Sequence, residues 1–131
     1  MSTKTMKSDP IAELLFEIGL ALKLKANPAD ICVIDVSFIS LSLIIPAILP
    51  FIKKGGLLIP LVKPQFEAER ADVGEGGIVT DEAAREKVLK KIEKLLTDNN
   101  CKILKLMESQ IKGTQGNVEY FYVAEIILPI R

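Results

Sequence analysis

The sequence predicts an α/β fold, in which a mixed sheet of about four strands ends in a C-terminal antiparallel hairpin and is flanked by helices. Two apolar runs, 31–36 and 57–62, are composed mainly of valine, isoleucine and leucine with little polar alternation, which is typical of strands buried on both faces. A segment of helical length separates them, so the three elements form a right-handed βαβ unit. Two later strand-like runs are joined by a short turn, which predicts the hairpin.

Composition limits the possible functions. The chain has 131 residues, 49% of them hydrophobic and 26% charged, which fits one folded domain. Its 17 basic and 17 acidic residues cancel, so net charge supplies no attraction to nucleic acid or membranes. Histidine is absent, and Cys32 and Cys101 lie far apart, so no metal site is predicted. Without signs of a disulfide scaffold, a cytoplasmic location is expected.

The N-terminal region divides into a leader and a helix. Residues 1–8 are expected to be a flexible leader without the features of a signal peptide. Asp9 and Pro10 then supply a helix cap and a first-turn proline, and apolar residues at helical spacing predict a helix to about residue 25. The single domain is therefore predicted over 9–131.

The uncharged stretch 36–52 needs a separate interpretation. It has 17 residues, the short limit for a membrane span, but it contains two prolines and follows directly on Asp35. Membrane insertion is not expected.

The predicted elements from this region onward are a strand over 31–38, a helix over 41–54 that Ser40 caps and Gly55-Gly56 ends, a strand over 57–62, an irregular loop over 64–80, a helix over 81–97, a strand over 101–110, a turn over 112–117 and a strand over 118–128.

Two chemically reactive side chains lie at the ends of the first two predicted strands. Asp35 ends the first apolar run, and Lys63 follows the second directly. In open α/β sheets, ligands bind outside the carboxyl ends of the strands. The two side chains are therefore expected at the same edge of the sheet.

Four segments carry a resemblance to a known family. They are DVSFISL at 35–41, VKPQFE at 62–67, VGEGGIV at 73–79 and GNVEYF at 116–121. In this order, the segments resemble the TlyA family, whose members are called haemolysins by name and FtsJ-like ribosomal RNA methyltransferases by fold. The similarity extends over about residues 30–126.

The resemblance implies a Rossmann-like methyltransferase fold that binds S-adenosylmethionine and methylates a ribose 2′-hydroxyl of rRNA with a Lys-Asp-Lys-Glu tetrad. Matched by motif, Asp35, Lys63 and Glu119 are the candidate catalytic residues, and Asp35 also borders the partial cofactor site. The first lysine, the glycine-rich cofactor loop and the S4 RNA-binding domain have no counterpart in this sequence. The chain thus resembles the C-terminal half of the family, and alone it is expected to bind no cofactor and to be inactive.

Alternative interpretations remain open for each residue. Asp35 could cap the next helix, Lys63 could be an ordinary edge residue, and Glu119 could be an exposed strand residue. Within a complete site, Lys63 could act as the base if neutral, or it could position the hydroxyl and stabilise developing alkoxide charge. The alternative function is a non-catalytic module that forms a homo-oligomer through the exposed apolar sheet edge or its helices.

Overall fold

A computed structural model describes residues 27–128, so the predicted leader and the helix predicted up to residue 25 lie outside the described residues. The elements in chain order are strand β1 (Ala29–Ile34), helix α1 (Leu41–Ile48), strand β2 (Ile52–Val62), helix α2 (Pro64–Glu67), helix α3 (Glu82–Asp98), strand β3 (Cys101–Glu108) and strand β4 (Tyr120–Ile126). Short 3₁₀ turns occupy Leu49–Phe51, Arg70–Asp72, Glu75–Gly77 and Thr114–Gly116.

The four strands form one mixed sheet in the order β1-β2-β4-β3. Strands β1 and β2 are parallel, and β4 is antiparallel to both β2 and β3. The predicted mixed α/β sheet and its antiparallel C-terminal pair are therefore confirmed. Because β4 inserts between β2 and β3, the residue that precedes β4 lies beside the end of β2.

Helices α1 and α3 cover one face of the sheet. Apolar residues recur at helical spacing on both helices, and Asp81 caps α3 by accepting a hydrogen bond from the backbone nitrogen of Ala83. From the sheet, Leu58, Val62 and Tyr122 join the same buried cluster. The residues that α1 and α3 bury in the core are Leu41, Ile45, Val88, Ile92 and Leu96.

The helix predicted over 41–54 is shorter than expected. It ends at Ile48, a 3₁₀ turn that contains Pro50 follows, and Lys53 to Gly56 belong to β2 rather than to a helix end. Proline fixes its own φ and disfavours helical backbone at the residue before it, which explains the early stop. Between Ala29 and Ile31 the register with β2 shifts, so the added residues of β2 bulge out of the regular pairing.

Three further predictions need correction. Strand β1 is not buried on both faces, because Ile31 and Val33 are 57% and 64% exposed, while Ile34 is buried. The run was expected to continue to Phe38, but the strand ends at Ile34. The loop predicted over 64–80 contains helix α2 and two 3₁₀ turns. Within residues 27–128, no helix has the length and apolar character needed to cross a membrane.

The hydroxyl of Tyr122 should titrate late. Tyr122 is 1% exposed and donates a hydrogen bond to the carbonyl of Leu89 at 2.9 Å. Burial, and secondarily the negative charge of Glu93, raises the pKa of Tyr122 from 10.0 to about 12. Since folding favours the neutral phenol, the free energy of unfolding should be undiminished below pH 10 and fall as pH rises toward about 12, by up to roughly 3 kcal/mol. Urea denaturation at a series of pH values measures this change.

The control for this prediction is Tyr122→Phe, which should lose about 1 kcal/mol at neutral pH with the hydrogen bond. Burial also raises the pKa of Cys101, to about 11, so part of the alkaline slope should remain in that variant. An equally steep slope in both proteins would show that Tyr122 does not contribute to it.

Candidate functional site

Asp35 and Lys63 form an ion pair at the carboxyl edge of the parallel strands. Asp35 follows β1 and Lys63 follows β2, and a distance of 2.6 Å joins Lys63 Nζ to Asp35 Oδ1. The side chain of Lys63 is only 13% exposed, whereas that of Asp35 is 63% exposed. The amine is therefore held within the edge, and the carboxylate is open to an approaching molecule.

Lys63 has two further neighbours. Its Nζ donates a hydrogen bond of 3.3 Å to the hydroxyl of Ser37, and it lies 5.9 Å from the centre of the Phe66 ring. An ammonium at this distance from an aromatic face is attracted by the ring quadrupole. Carboxylate, hydroxyl and aromatic ring together fix the position of the Lys63 amine.

Glu119 lies at the same edge, one residue before β4. Because Val62 pairs with Tyr120 in the antiparallel register, Lys63 and Glu119 occupy the next positions along the two strands. Glu119 is 7% exposed, so the interpretation of it as an exposed strand residue is wrong. Its Oε2 accepts a hydrogen bond of 2.8 Å from Gln65 Nε2, and the described residues include no direct ion pair between Glu119 and Lys63.

All three predicted site residues thus lie at one edge of the sheet. Asp35 and Lys63 are in direct contact, and Glu119 is connected to them through Gln65, two residues after Lys63. This placement agrees with a shared site, and the catalytic roles themselves stay predictions.

The loop before β4 fits closely around the Glu119 carboxylate. A Cβ added to Gly113 would overlap Glu119 Oε2, so only glycine leaves room for the acid in this position. Asn117 connects the same loop to the glycine-rich segment 73–79, accepting a hydrogen bond from the Val79 nitrogen at 3.0 Å and donating one to the Gly77 carbonyl at 2.9 Å. At 2% exposure, Asn117 is part of the framework that supports the site.

A small cavity adjoins the site, with a volume of about 150 Å³. Its lining consists of Phe38, Gln65, Phe66, Gly76 and Gly77. The rings of Phe38 and Phe66 are 4.8 Å apart, and Phe38 is 87% exposed with a positive φ of 63°. Positive φ is uncommon for a bulky residue, and such strain of about 1–3 kcal/mol persists only where neighbouring contacts impose it.

The predictions from sequence missed several residues that build this site. They are Ser37, Gln65, Gly113 and Asn117. Three of them lie within the four segments quoted above, and Gly113 lies three residues before the last segment. The partners of the three polar residues are distant in sequence, such as Gln65 and Glu119, which are 54 positions apart. The sequence offered one signal for the polar residues among them, which is their position close to a predicted acid or amine.

Comparisons with known proteins identify the family to which the chain is similar. The family model described as FtsJ-like methyltransferase matches residues 3–126. The chain belongs to this family. Hemolysin A of Brachyspira hyodysenteriae is 43% identical over 91 residues, covering 70% of the chain and 38% of the relative. The 16S/23S rRNA (cytidine-2'-O)-methyltransferase TlyA of Mycobacterium tuberculosis is 32% identical over 120 residues, covering 89% of the chain and 45% of the relative.

The fold of the chain is also similar to that of a solved structure. A protein of Streptococcus thermophilus that is called a hemolysin superposes with a TM-score of 0.72 at 41% identity, covering 75% of this chain and 35% of that one. The chain therefore spans less than half the length of the relatives it matches. The expected resemblance to the FtsJ-like and TlyA proteins is confirmed, and family membership implies S-adenosylmethionine as the family's methyl donor.

The cavity lined by Phe38, Gln65 and Phe66 does not fit the whole of that cofactor. Its volume of about 150 Å³ lies below the roughly 300–1,000 Å³ of pockets for ligands of drug-like size. Among residues 27–128, no cluster of three aspartate, glutamate or cysteine side chains could hold a metal ion.

Substitution of Gly113 should displace Glu119. In Gly113→Ala, the new methyl group would occupy the place of the Glu119 carboxylate and should break its hydrogen bond with Gln65. The side-chain amide signals of Gln65 in a ¹⁵N-labelled NMR spectrum should therefore shift.

The matched control is Gly116→Ala in the same loop, where φ is +82° and the added Cβ has open space around it. That variant should lose about 1 kcal/mol of stability through backbone strain and leave the Gln65 signals in place. Unchanged Gln65 signals in a folded Gly113→Ala protein would contradict the described packing.

Proposed function

We propose that residues 27–128 form the catalytic and substrate-facing part of a methyltransferase that transfers a methyl group from S-adenosylmethionine to a ribose 2′-hydroxyl of rRNA. The observation that carries the proposal is the half-buried Lys63 amine, held 2.6 Å from Asp35 at the carboxyl edge of the sheet. The M. tuberculosis relative, named as an rRNA (cytidine-2'-O)-methyltransferase, supplies the reaction class. The proposed place of action is the cytoplasm.

The proposed chemistry requires the hydroxyl to lose its proton as its oxygen bonds to the methyl group, which the methyl donor would supply when bound. Lys63 donates hydrogen bonds toward the oxygen and stabilises its developing negative charge, and the exposed Asp35 carboxylate accepts the proton. Asp35 keeps the amine oriented, and Glu119 borders the other side of the site through Gln65. A neutral Lys63 that removes the proton itself is the alternative assignment.

An aromatic surface beside the amine supports RNA as the substrate. Phe38 is 87% exposed and contacts Phe66, and both rings line the cavity next to Lys63. Bases stack on exposed aromatic rings, with about 1–3 kcal/mol per base in single-stranded RNA complexes. Because the net charge is zero, overall attraction to phosphate adds nothing to this contact, and the proposed contact relies on stacking.

We also propose that the isolated chain lacks activity, because the cavity that the described residues form beside the site is too small for the methyl donor. A chimera tests the catalytic part directly. In it, residues 27–128 replace the corresponding segment of the M. tuberculosis TlyA protein. The chimera should methylate rRNA with radiolabelled S-adenosylmethionine, while the isolated chain should neither transfer methyl groups nor bind the cofactor in calorimetry.

Binding of S-adenosylmethionine by the chimera is the control, because it shows that the part contributed by the host protein is folded. Rates of methyl transfer are compared only for chimeras that bind the cofactor. A second chimera exchanges only 35–40, 63–67 and 113–119, so it keeps the host's core. Cofactor binding without methyl transfer in both chimeras would contradict the proposed function. Micromolar binding of the cofactor by the isolated chain would contradict only the expectation that the isolated chain binds no cofactor.

A second candidate function is association, and the exposed side of β1 favours it. Ile31 and Val33 present adjacent apolar side chains, and within residues 27–128 β1 pairs on one side only. Unpaired apolar edges tend to pair with another chain. We propose a homo-oligomer through this edge, which sedimentation at micromolar concentration should detect and which Val33→Lys should dissociate. A strict monomer would contradict it.

A further inference from the structure

A buried carboxylate that the proposed reaction does not use lies four residues after Lys63. The Glu67 side chain is 2% exposed, and it lies at the end of helix α2 rather than at the edge occupied by Asp35 and Lys63. A buried carboxylate is costly unless it is paired and hydrogen-bonded. Its partners therefore indicate what it does.

Glu67 binds the start of helix α1. Its Oε1 accepts a hydrogen bond from the Ser40 hydroxyl at 2.7 Å, and its Oε2 accepts one from the Leu41 nitrogen at 2.8 Å. Lys91 from α3 adds an ion pair of 3.1 Å to Oε1. A carboxylate at this position also complements the positive end of the helix dipole.

These contacts fix one end of the loop 35–40, and Lys63 fixes the other. Lys63 contacts Asp35 and Ser37 at the beginning of the loop, and Glu67 contacts Ser40 at its end. Both anchors belong to the five-residue segment 63–67. The loop is therefore attached at both ends to a single short, helical support.

Phe38 lies between the two anchors in a conformation that the sequence does not favour. It has a φ of 63°, and its ring is exposed beside Phe66. A strained backbone persists when the surrounding contacts over-determine it. In this loop those contacts are the two anchors and the Phe66 ring.

We propose that Glu67 is a positioning residue that holds Phe38 in its positive-φ conformation and so presents its ring at the substrate edge. The importance of this ring rests on the proposed RNA substrate. The conformational role of Glu67 is separate from it, because it concerns the backbone of the free protein.

The experiment uses the full chain labelled with ¹³C and ¹⁵N. The Cα chemical shift and the one-bond Cα–Hα coupling of Phe38 report its φ, and nuclear Overhauser effects report the contact with Phe66. In Glu67→Ala, Phe38 should lose the positive-φ signature and the Phe66 contacts. A second variant, Glu67→Leu with Lys91→Met, should give the same result, and it does not leave the Lys91 amine without its carboxylate partner.

Two controls separate positioning from general stability. Glu69→Ala removes a nearby carboxylate that is 74% exposed and forms an ion pair with Lys87 at 3.6 Å. Lys91→Met removes the cation and leaves the hydrogen bonds of Glu67 with Ser40 and Leu41. Both controls should keep the Phe38 signature. Its retention in either folded Glu67 variant would overturn the proposal, as would its loss in the Glu69 control.

Binding of a short single-stranded RNA, followed by fluorescence anisotropy, distinguishes this inference from the proposed function. Affinity should fall at least about fivefold in the Glu67 variants and stay unchanged in the controls. Absence of RNA binding by the unmodified chain would count against the RNA substrate, while the Phe38 signals would still decide the role of Glu67.

Discussion

The segment that follows strand β2 holds the functional edge together. Three alternating side chains of this segment reach three different parts of the chain: Lys63 contacts the start of the loop 35–40, Gln65 contacts Glu119, and Glu67 contacts the start of α1. The last two contacts are largely removed from water, where an unmet hydrogen bond costs more than a satisfied one gains. The positions of these groups are therefore coupled through one short turn.

Strand order explains how this segment reaches Glu119. Strand β4 inserts between β2 and β3, so its first residues lie beside the last residues of β2. The loop before β4 then packs Gly113 against the acid, and Asn117 ties that loop to the glycine-rich segment. Four segments that are separate in sequence thereby lie along one edge of the sheet.

Local pattern predicted the parts of the fold that depend on neighbouring residues. Helix α3 follows from its apolar spacing, and the antiparallel pair β3 and β4 follows from a short turn between two apolar runs. The end of α1 was misplaced because Gly55-Gly56 looks like a helix stop, yet Pro50 ends the helical region earlier and the glycines lie in β2. The exposure of Ile31 and Val33 depends on which elements pack against β1. The apolar character of the two residues does not predict that packing.

The same distinction applies to the site. Asp35 and Lys63 could be placed together from sequence, since parallel strands bring their carboxyl ends to one edge. Glu119 was placed there only through the family resemblance, and its burial was not foreseen. Gln65 and Glu67 have partners 54 and 26 positions away, and no local rule predicts such contacts.

The most direct test of the account compares two lysine substitutions in the TlyA chimera. Lys63 is held at the functional edge, whereas Lys87 lies on the surface of α3 with a 63% exposed side chain. Lys63→Met should lower the rate of methyl transfer to rRNA at least roughly 100-fold without changing cofactor affinity, and Lys87→Met should leave the rate unchanged. Equal rates for the two variants would show that the Asp35–Lys63 edge is not where the reaction occurs.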